Sequence, residues 1–80
     1  MKIYDYYGKK NICGQRIYEA RSRLRITQKD LAAKLQIAGI AIERDSISRI
    51  EIGTRFVTDY EIRELSQILK VNVTWLLGME

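Results

Sequence analysis

Residues 44–51 combine side-chain types that favour contact with a partner molecule. Ile47 and Ile50 lie three positions apart, so on a helix they form one narrow apolar stripe that faces inward. The outward positions carry short or fork-shaped hydrogen-bonding side chains: Arg44, Asp45, Ser46, Ser48 and Arg49. Ser and Asp are weak helix formers, and a face that needs only solubility usually carries Glu and Lys. We therefore interpret this stretch as a helix that enters the major groove of DNA.

The charged side chains of this stretch have the chemistry to read base pairs. A guanidinium can donate two parallel hydrogen bonds to O6 and N7 of guanine, worth about 1–3 kcal/mol of discrimination. Asp45 can accept from N4 of cytosine, orient Arg44 or Arg49, or stabilise the first helical turn through the helix dipole. A carboxylate also repels phosphates and so penalises wrong registers. These roles of Asp45 remain open at the level of sequence.

The composition indicates one small domain with an uneven charge. The 80 residues are 46% hydrophobic, which is enough for a compact core, and the net charge is +4. Residues 1–34 hold nine Lys/Arg against three Asp/Glu, whereas residues 35–80 hold five against seven. The basic half suits an anionic partner such as nucleic acid. With no membrane-spanning apolar run and no signal peptide, we expect a cytoplasmic, nucleoid-associated protein. Because the sequence ends at residue 80, we also expect no attached ligand-sensing domain.

The sequence lacks the usual residues of an enzyme site. It contains no His, and its one cysteine, Cys13, shares an apolar helical face with Ile17, Ala20 and Leu24. A single cysteine also excludes an internal disulfide framework and fits a reducing compartment. No zinc or P-loop spacing and no carboxylate pair in an evident pocket is present. We therefore expect no enzyme, no metal, no cofactor and no small-molecule ligand.

Helix start signals divide the chain into five predicted helices. Thr27, Thr58 and Asn72 are each a polar N-cap bracketed by the two apolar residues of a hydrophobic staple. Thr58 and Glu61 also form a capping box, whereas Glu43 has the staple but is a poor cap. The predicted helices cover about 12–24, 27–36, 44–52, 58–70 and 73–78. Without strand alternation or proline, this pattern predicts an all-α, compact five-helix bundle.

Further signals mark several helix ends and the residues before the first helix. Asn11 is the predicted N-cap of the first helix, and Gly53 and Gly78 are predicted to end the third and fifth. Residues 1–10 have no helical period and include closely spaced tyrosines: Tyr4, Tyr6 and Tyr7. We predict an N-terminal arm over 1–10 and a domain over 11–80. The arm either folds on the domain surface or touches DNA or a second subunit, and we favour the former because termini are commonly docked.

Four segments together resemble a known family. Two short helices joined by a turn suggest a helix-turn-helix, whose second helix reads base edges. The segments 14–17, 27–35, 47–51 and 71–78, in this order, resemble the phage-repressor and Cro type of helix-turn-helix, the XRE family. The similarity covers about residues 11–78. It implies a lambda-repressor-like DNA-binding domain that acts as a small repressor-like transcriptional regulator, from a bacterium or phage, on double-stranded DNA as a homodimer.

The resemblance also implies roles for individual residues. Gln28 matches a glutamine that holds a DNA phosphate, and Thr54 and Arg55, after Gly53, match a loop that clamps the phosphate strand. The positions implied to face bases or nearby phosphates are Arg44, Asp45, Ser46, Ser48 and Arg49. A further implied pair, Arg21 and Glu51, forms a structural salt bridge between the first and third helices.

The chain departs from the family pattern at two places. Residues 36–43 form an insertion that gives an extended turn between helices 2 and 3. Because its apolar residues alternate with others, we expect part of it to be buried and helix 2 to gain a turn before Gly39. Arg25 stands where relatives often have glycine, so a positive φ there would carry a modest strain.

A protein-interaction module with the same fold is the alternative function. The family also includes antitoxin subunits and coactivators, and fold alone does not decide function. Tyr60, Trp75 and Met79 are candidates for an exposed interface, although Trp75 can instead pack against Leu65 and Leu69. DNA binding is expected to weaken steeply with added salt through counterion release, whereas an apolar protein interface is not.

Overall fold

Five α-helices make up the fold of this protein in a computed structural model, which describes residues 5–80. The helices are α1 Gly14–Arg23, α2 Gln28–Ile37, α3 Arg44–Ile52, α4 Asp59–Leu69 and α5 Val73–Leu76. Within the described part of the chain, the one extended pairing is an isolated antiparallel bridge between Tyr6 and Lys9. The all-α prediction is therefore confirmed, and each predicted helix end lies within two residues of the observed one. No helix of residues 5–80 is long and apolar enough to cross a membrane.

The core lies where α3 packs against α1 and α2. Ile47 and Ile50 of α3 are fully buried, as the apolar stripe predicted. The other large, fully buried side chains are Ile42 of the turn before α3 and five from the surrounding helices: Ile17, Leu31, Leu35, Leu65 and Leu76. Each such side chain contributes about 1.5–3 kcal/mol relative to an exposed one. The apolar face of α3 is thus fixed, and its polar face is left outward.

Capping interactions begin α2 and α4. The Thr27 hydroxyl accepts from the Asp30 N–H, and the Asp30 carboxylate accepts from the Thr27 N–H. Thr58 and Glu61 form the same reciprocal box, which confirms the prediction for α4. Asn72 lies at the N-cap of α5 without a side-chain cap bond, and its amide nitrogen donates to Glu80.

The start of α1 differs from the prediction. The helix begins at Gly14 with Cys13 as its N-cap, so the prediction of Asn11 as the N-cap was wrong by two positions. Asn11 still supplies the capping acceptor, since its Oδ1 accepts from the N–H groups of Cys13 and Gly14 at 3.1 and 2.8 Å. The other polar atom of this side chain, Nδ2, contacts a different helix, α3.

The described part of the N-terminal arm lies on the domain surface, where the Lys10 N–H donates to the Gly53 carbonyl at 2.7 Å. Tyr4, with the other residues of 1–4, lies outside the described residues. Gly53, which ends α3 as predicted, has a φ of 98°.

The insertion between α2 and α3 is short and partly buried. The predicted extra turn of α2 was wrong: the helix ends at Ile37, and Gly39 follows with a φ of 93°. Ile42 is buried, as expected for part of this segment, and the Gln36 amide donates to its carbonyl at 2.7 Å. Burial of Ile42 requires the chain to turn back to the core, so α2 cannot continue. Arg25 does have a positive φ, of 58°.

Candidate nucleic-acid interface

The polar face of α3 is accessible. Arg44, Asp45 and Arg49 are exposed, and Ser46 and Ser48 are half-buried. The α3 helix places these five side chains on one side because Ile47 and Ile50 hold the opposite side in the core. The structure therefore brings together the five α3 residues predicted from the sequence.

Asp45 lies between the two arginines of this face. Its Oδ1 is 3.5 Å from Nη2 of Arg44, and its Oδ2 is 3.9 Å from Nη1 of Arg49. Exposed ion pairs of this kind contribute about 0–1 kcal/mol, so they orient the guanidinium groups without locking them. Both arginines can exchange this carboxylate for a base edge or a phosphate.

An ion pair in the last turn of α3 connects three helices. Nε of Arg21 donates to Oε2 of Glu51 at 2.7 Å, and Nη2 donates to Oε1 at 3.0 Å. Only 13% and 6% of the two side chains are exposed, and the hydrogen bonds to Glu51 raise the pKa of Arg21. The Gln28 amide also donates to Oε1 of Glu51 at 3.0 Å, and Nη1 of Arg21 donates to the Ile26 carbonyl. The orientation of α3 is thereby tied to α1 and to the first residue of α2.

Gln28 is positioned by this network. Its side-chain amide nitrogen donates one hydrogen to Glu51. Because an amide nitrogen carries two hydrogens, the second can be donated to another acceptor. The same side chain lies half-exposed at the start of α2.

The loop after α3 uses its backbone amides within the domain. The N–H groups of Gly53 and Thr54 both donate to the Arg49 carbonyl at 2.9 Å, as does the Thr54 hydroxyl at 3.4 Å. These bonds end the helix and leave neither amide for a phosphate. Of Gly53 and Thr54, the exposed Thr54 side chain is then what is left to contact a phosphate.

Arg55 has a structural partner. Its Nη1 and Nη2 donate to the two carboxylate oxygens of Glu61 at 3.0 and 3.1 Å, and Nη1 also donates to the Phe56 carbonyl. Glu61 is 4% exposed. Hydrogen bonds to this carboxylate raise the pKa of Arg55. The guanidinium therefore ties the loop to α4, and a contact of Arg55 with a DNA phosphate stays a prediction.

Two residues near the N-terminus position α3 through contacts that the sequence did not predict. Nζ of Lys9 donates to the Ile52 carbonyl at 2.9 Å. Nδ2 of Asn11 donates to the carbonyls of Ile50 and Arg55 at 3.0 and 2.8 Å. These contacts tie the end of α3 and the loop after it to the residues before α1. No local signal could have found them, because the partners are about 40 residues apart along the chain.

The remaining candidates have structural surroundings. Trp75 packs against the core, with the guanidinium carbons of Arg16 and Arg23 at 4.8 and 5.2 Å from its ring centroid. Cys13 is buried, and burial raises the pKa of its thiol to about 11. Tyr60 and Met79 are exposed. Within residues 5–80, no three Cys, Asp or Glu side chains converge as metal ligands do.

The arrangement of α2 and α3 defines a class of protein. Two short helices are joined by a turn, the second has an exposed polar face, and the other helices brace the pair. This is the geometry of a helix-turn-helix domain.

Comparison with known proteins places the chain in that class. A family model described as "Helix-turn-helix domain" matches residues 14–78, and the chain belongs to this family. Among solved structures, the chain is similar to the P22 c2 repressor protein in complex with synthetic operator 9T in the presence of Tl⁺. The identity is 23%, the match covers 88% of this chain and 98% of that chain, and the TM-score is 0.73. The predicted phage-repressor type of fold is thereby confirmed. No curated protein matches the sequence significantly.

Proposed function

We propose that this protein binds double-stranded DNA in a sequence-specific manner, as a small repressor-like transcriptional regulator with α3 in the major groove. The observation that carries the proposal is the exposed set Arg44, Asp45 and Arg49, presented by a helix whose opposite face is buried. The fold of the P22 c2 repressor, a protein solved with an operator, supports it.

The contacts fall into two kinds. Arg44 and Arg49 contact base edges or nearby phosphates, with Asp45 between them and Ser46 and Ser48 alongside. Two side chains at the margins, Gln28 and Thr54, contact the sugar-phosphate backbone. The excess of basic residues in 1–34 adds a long-range attraction to DNA.

A homodimer is part of the proposal. The α3 helix has nine residues, and one such helix reads only a few base pairs. Two copies related by a two-fold axis read half-sites about one helical turn apart, about 34–36 Å, which gives the specificity that a regulator needs. The place of action is the cytoplasm of a bacterium, at the nucleoid.

The proposal is tested by selection of random-sequence duplex DNA, followed by titration of the enriched sequence against salt. We expect an inverted repeat whose binding constant falls steeply with salt, because several phosphate contacts release counterions. Arg49→Ala is expected to abolish the enrichment. Arg63→Ala is the matched control, since Arg63 is also an exposed arginine but lies on α4.

The same titration separates the second candidate function. A protein-interaction module, such as an antitoxin subunit or coactivator, has some support in the exposed Tyr60 and Met79. If the folded protein fails to bind any duplex at low salt, the regulator is excluded and the interaction module is favoured.

A further inference from the structure

Three consecutive residues before α1 donate hydrogen bonds to carbonyl groups around the end of α3. Nζ of Lys9 donates to the Ile52 carbonyl at 2.9 Å, and the Lys10 N–H donates to the Gly53 carbonyl at 2.7 Å. Nδ2 of Asn11 donates to a carbonyl in the last turn of α3 at 3.0 Å. We call these three residues the N-terminal strap. The strap connects the chain before α1 to the C-terminal end of the proposed recognition helix.

The N-terminal strap lies outside the family pattern. The family model matches residues 14–78, whereas the strap occupies residues 9–11. Its contacts with α3 are therefore a feature of this chain that membership of the family does not imply.

The Lys9 side chain lies along the end of α3. A Cβ at Gly53 would overlap Cδ of Lys9, so the lysine stem packs in the space that the glycine leaves. The ammonium group of Lys9 reaches the carbonyl of Ile52, the last residue of α3. This is the negative end of the helix dipole, where a cation is stabilised. The side chain is thus directed at α3, although Lys9 as a residue is exposed.

A tight turn before the N-terminal strap holds Lys9 in this position. The N–H and carbonyl groups of Tyr6 and Lys9 exchange two hydrogen bonds, at 2.8 and 3.0 Å. Between them, Tyr7 and Gly8 have φ values of 52° and 82°, as the two central residues of a type I′ turn do. The Gly8 N–H also donates to the Asp5 carboxylate at 3.1 Å. Lys9 is therefore already positioned against α3 in the protein without DNA.

A contact at one end of α3 controls the position of the other end. Arg44 begins the helix and Ile52 ends it, so they are eight positions apart. At 1.5 Å per residue this is about 12 Å, and a tilt of about 5° at Ile52 would move Arg44 by about 1 Å. A binding constellation must be held within about 0.5 Å of its productive geometry, and two parallel hydrogen bonds to a base are sensitive to such a shift. A weaker hold on Ile52 is therefore expected to reduce base readout at Arg44.

We propose that Lys9 is a positioning residue for sequence-specific DNA binding, which acts through α3 and not through a contact with DNA. The inference rests on the proposed function, because the orientation of α3 matters only if α3 reads base edges. A lysine on a phosphate would strengthen binding to every sequence and add to its salt dependence. A positioning residue strengthens only the complexes in which base contacts form. Lys9 is therefore expected to increase the affinity for the operator and not the affinity for random-sequence DNA.

The experiment measures the binding of Lys9→Met to the selected operator and to a random-sequence duplex, each over a series of salt concentrations. Methionine keeps most of the stem and removes the ammonium group. Lys70→Met is the matched control, because Lys70 is also an exposed lysine, at the end of α4, and the change in net charge is the same. Relative to this control, we expect the operator Kd of Lys9→Met to rise about fivefold to tenfold, part of the discrimination that one bidentate arginine contributes. The random-sequence Kd and the salt slope are expected to equal those of the control.

The ratio of the two Kd values separates positioning from a general loss of folding. A smaller folded fraction would raise both Kd values by the same factor, and the ratio would stay as in wild type. Circular dichroism of each variant under the binding conditions measures the folded fraction directly.

The selected consensus tests whether Lys9 acts through the far end of α3. Selection with Arg44→Ala identifies the base pairs that depend on Arg44, and selection with Arg49→Ala identifies those that depend on Arg49. Because Arg44 is farther from Ile52 along the helix, Lys9→Met is expected to lose sequence preference most at the Arg44 positions. A loss confined to the Arg49 positions would contradict this action.

Three outcomes would overturn the inference. A ratio of operator to random-sequence Kd equal to that of Lys70→Met would overturn it and leave the proposed function intact. Equal increases in both Kd values, with a salt slope smaller by about one, would also overturn it, because they assign Lys9 to a phosphate contact. Failure of wild type to bind any duplex would overturn the inference together with the proposed function.

Discussion

Asn11 joins the beginning of α1 to the end of α3, because its Nδ2 donates to the Ile50 carbonyl at 3.0 Å while its Oδ1 accepts from the Gly14 N–H at 2.8 Å. Its second amide hydrogen reaches the Arg55 carbonyl at 2.8 Å. One side chain therefore holds the first helix, the proposed recognition helix and the loop after it. Together with the Arg21–Glu51 pair, it fixes α3 against the domain from two sides.

Asn11→Asp tests this connection with little change in shape. The carboxylate keeps the acceptor for the N–H groups at the start of α1, but it replaces the amide donor with an oxygen that faces two carbonyls. We expect the free energy of unfolding to fall by about 1–3 kcal/mol, the usual cost of leaving buried acceptors unpaired. Urea unfolding measures the change.

Asn72→Asp is the control for that experiment, because Asn72 is exposed and donates only to Glu80 near the C-terminus. Its stability is expected to change much less. Equal stabilities of Asn11→Asp and wild type would show that the Asn11 amide does not hold α3.

Gly14→Ala tests the close approach of α1 to α3. A Cβ at Gly14 would overlap the backbone carbonyl oxygen of Ile50, which cannot rotate away as a side chain can. We expect a loss of about 1–3 kcal/mol in unfolding free energy, the range for an overpacked site. This loss should appear although alanine favours a helix by about 1 kcal/mol over glycine. Thermal unfolding of the variant provides the measurement, and a variant more stable than wild type would contradict the close approach.

The helices could be predicted because their signals are local. Thr58 and Glu61 are three residues apart, and so are Ile47 and Ile50. Both members of each pair therefore lie within one helical turn, and a short stretch of sequence contains the whole signal. The buried part of the insertion was likewise visible in its apolar alternation, which includes Ile42.

The exposure of the candidate site residues could be predicted only where the side chain faces solvent, as on the polar face of α3. Arg55 looks like a phosphate contact in the sequence, but the nearby Glu61 is buried, and a buried carboxylate without a partner is strongly unfavourable. The internal pair therefore takes the guanidinium. Asn11 could be predicted as a capping residue of α1, but its contact with α3 could not, because its partner Ile50 is 39 residues away.

The Arg55–Glu61 pair should make stability depend on pH. Burial alone raises the pKa of Glu61, but hydrogen bonds from Arg55 and from the Thr58 N–H outweigh it and lower the pKa below its ordinary value. The folded state therefore binds a proton less readily than the unfolded state. The resulting stability is present above the unfolded pKa of about 4.3 and is lost as the pH falls through the lower folded pKa.

Urea unfolding of wild type and Glu61→Gln over about pH 2–6 measures this linkage. Wild type should lose unfolding free energy as the pH is lowered, and the variant should lose less. Some dependence should remain in the variant, since the Thr27 backbone hydrogen bond also lowers the pKa of Asp30. Parallel curves for the two proteins would show that Glu61 does not contribute.

Asp45→Asn separates the roles open to Asp45 on α3. The carboxylate, 72% exposed, lies between Arg44 and Arg49 and is expected to repel phosphates in every register except the correct one. Removing its charge should raise affinity for random duplex DNA about fivefold, since close charge pairs in water are worth about 1 kcal/mol. Affinity for the selected operator should rise less or fall, because the two guanidinium groups lose their orientation. Specificity is the ratio of the two affinities, and it should therefore decrease.

Asp59→Asn is the matched control, because Asp59 is also an exposed acid in the first turn of a helix, but on α4. If Asp45 only stabilised its helix through the dipole, both variants would lose a similar part of the unfolding free energy, about 0.3–1 kcal/mol, and neither would change specificity. A lower specificity ratio in Asp45→Asn alone, measured by competition between operator and random duplex, assigns the carboxylate to DNA discrimination. A ratio equal to that of wild type assigns it to the helix.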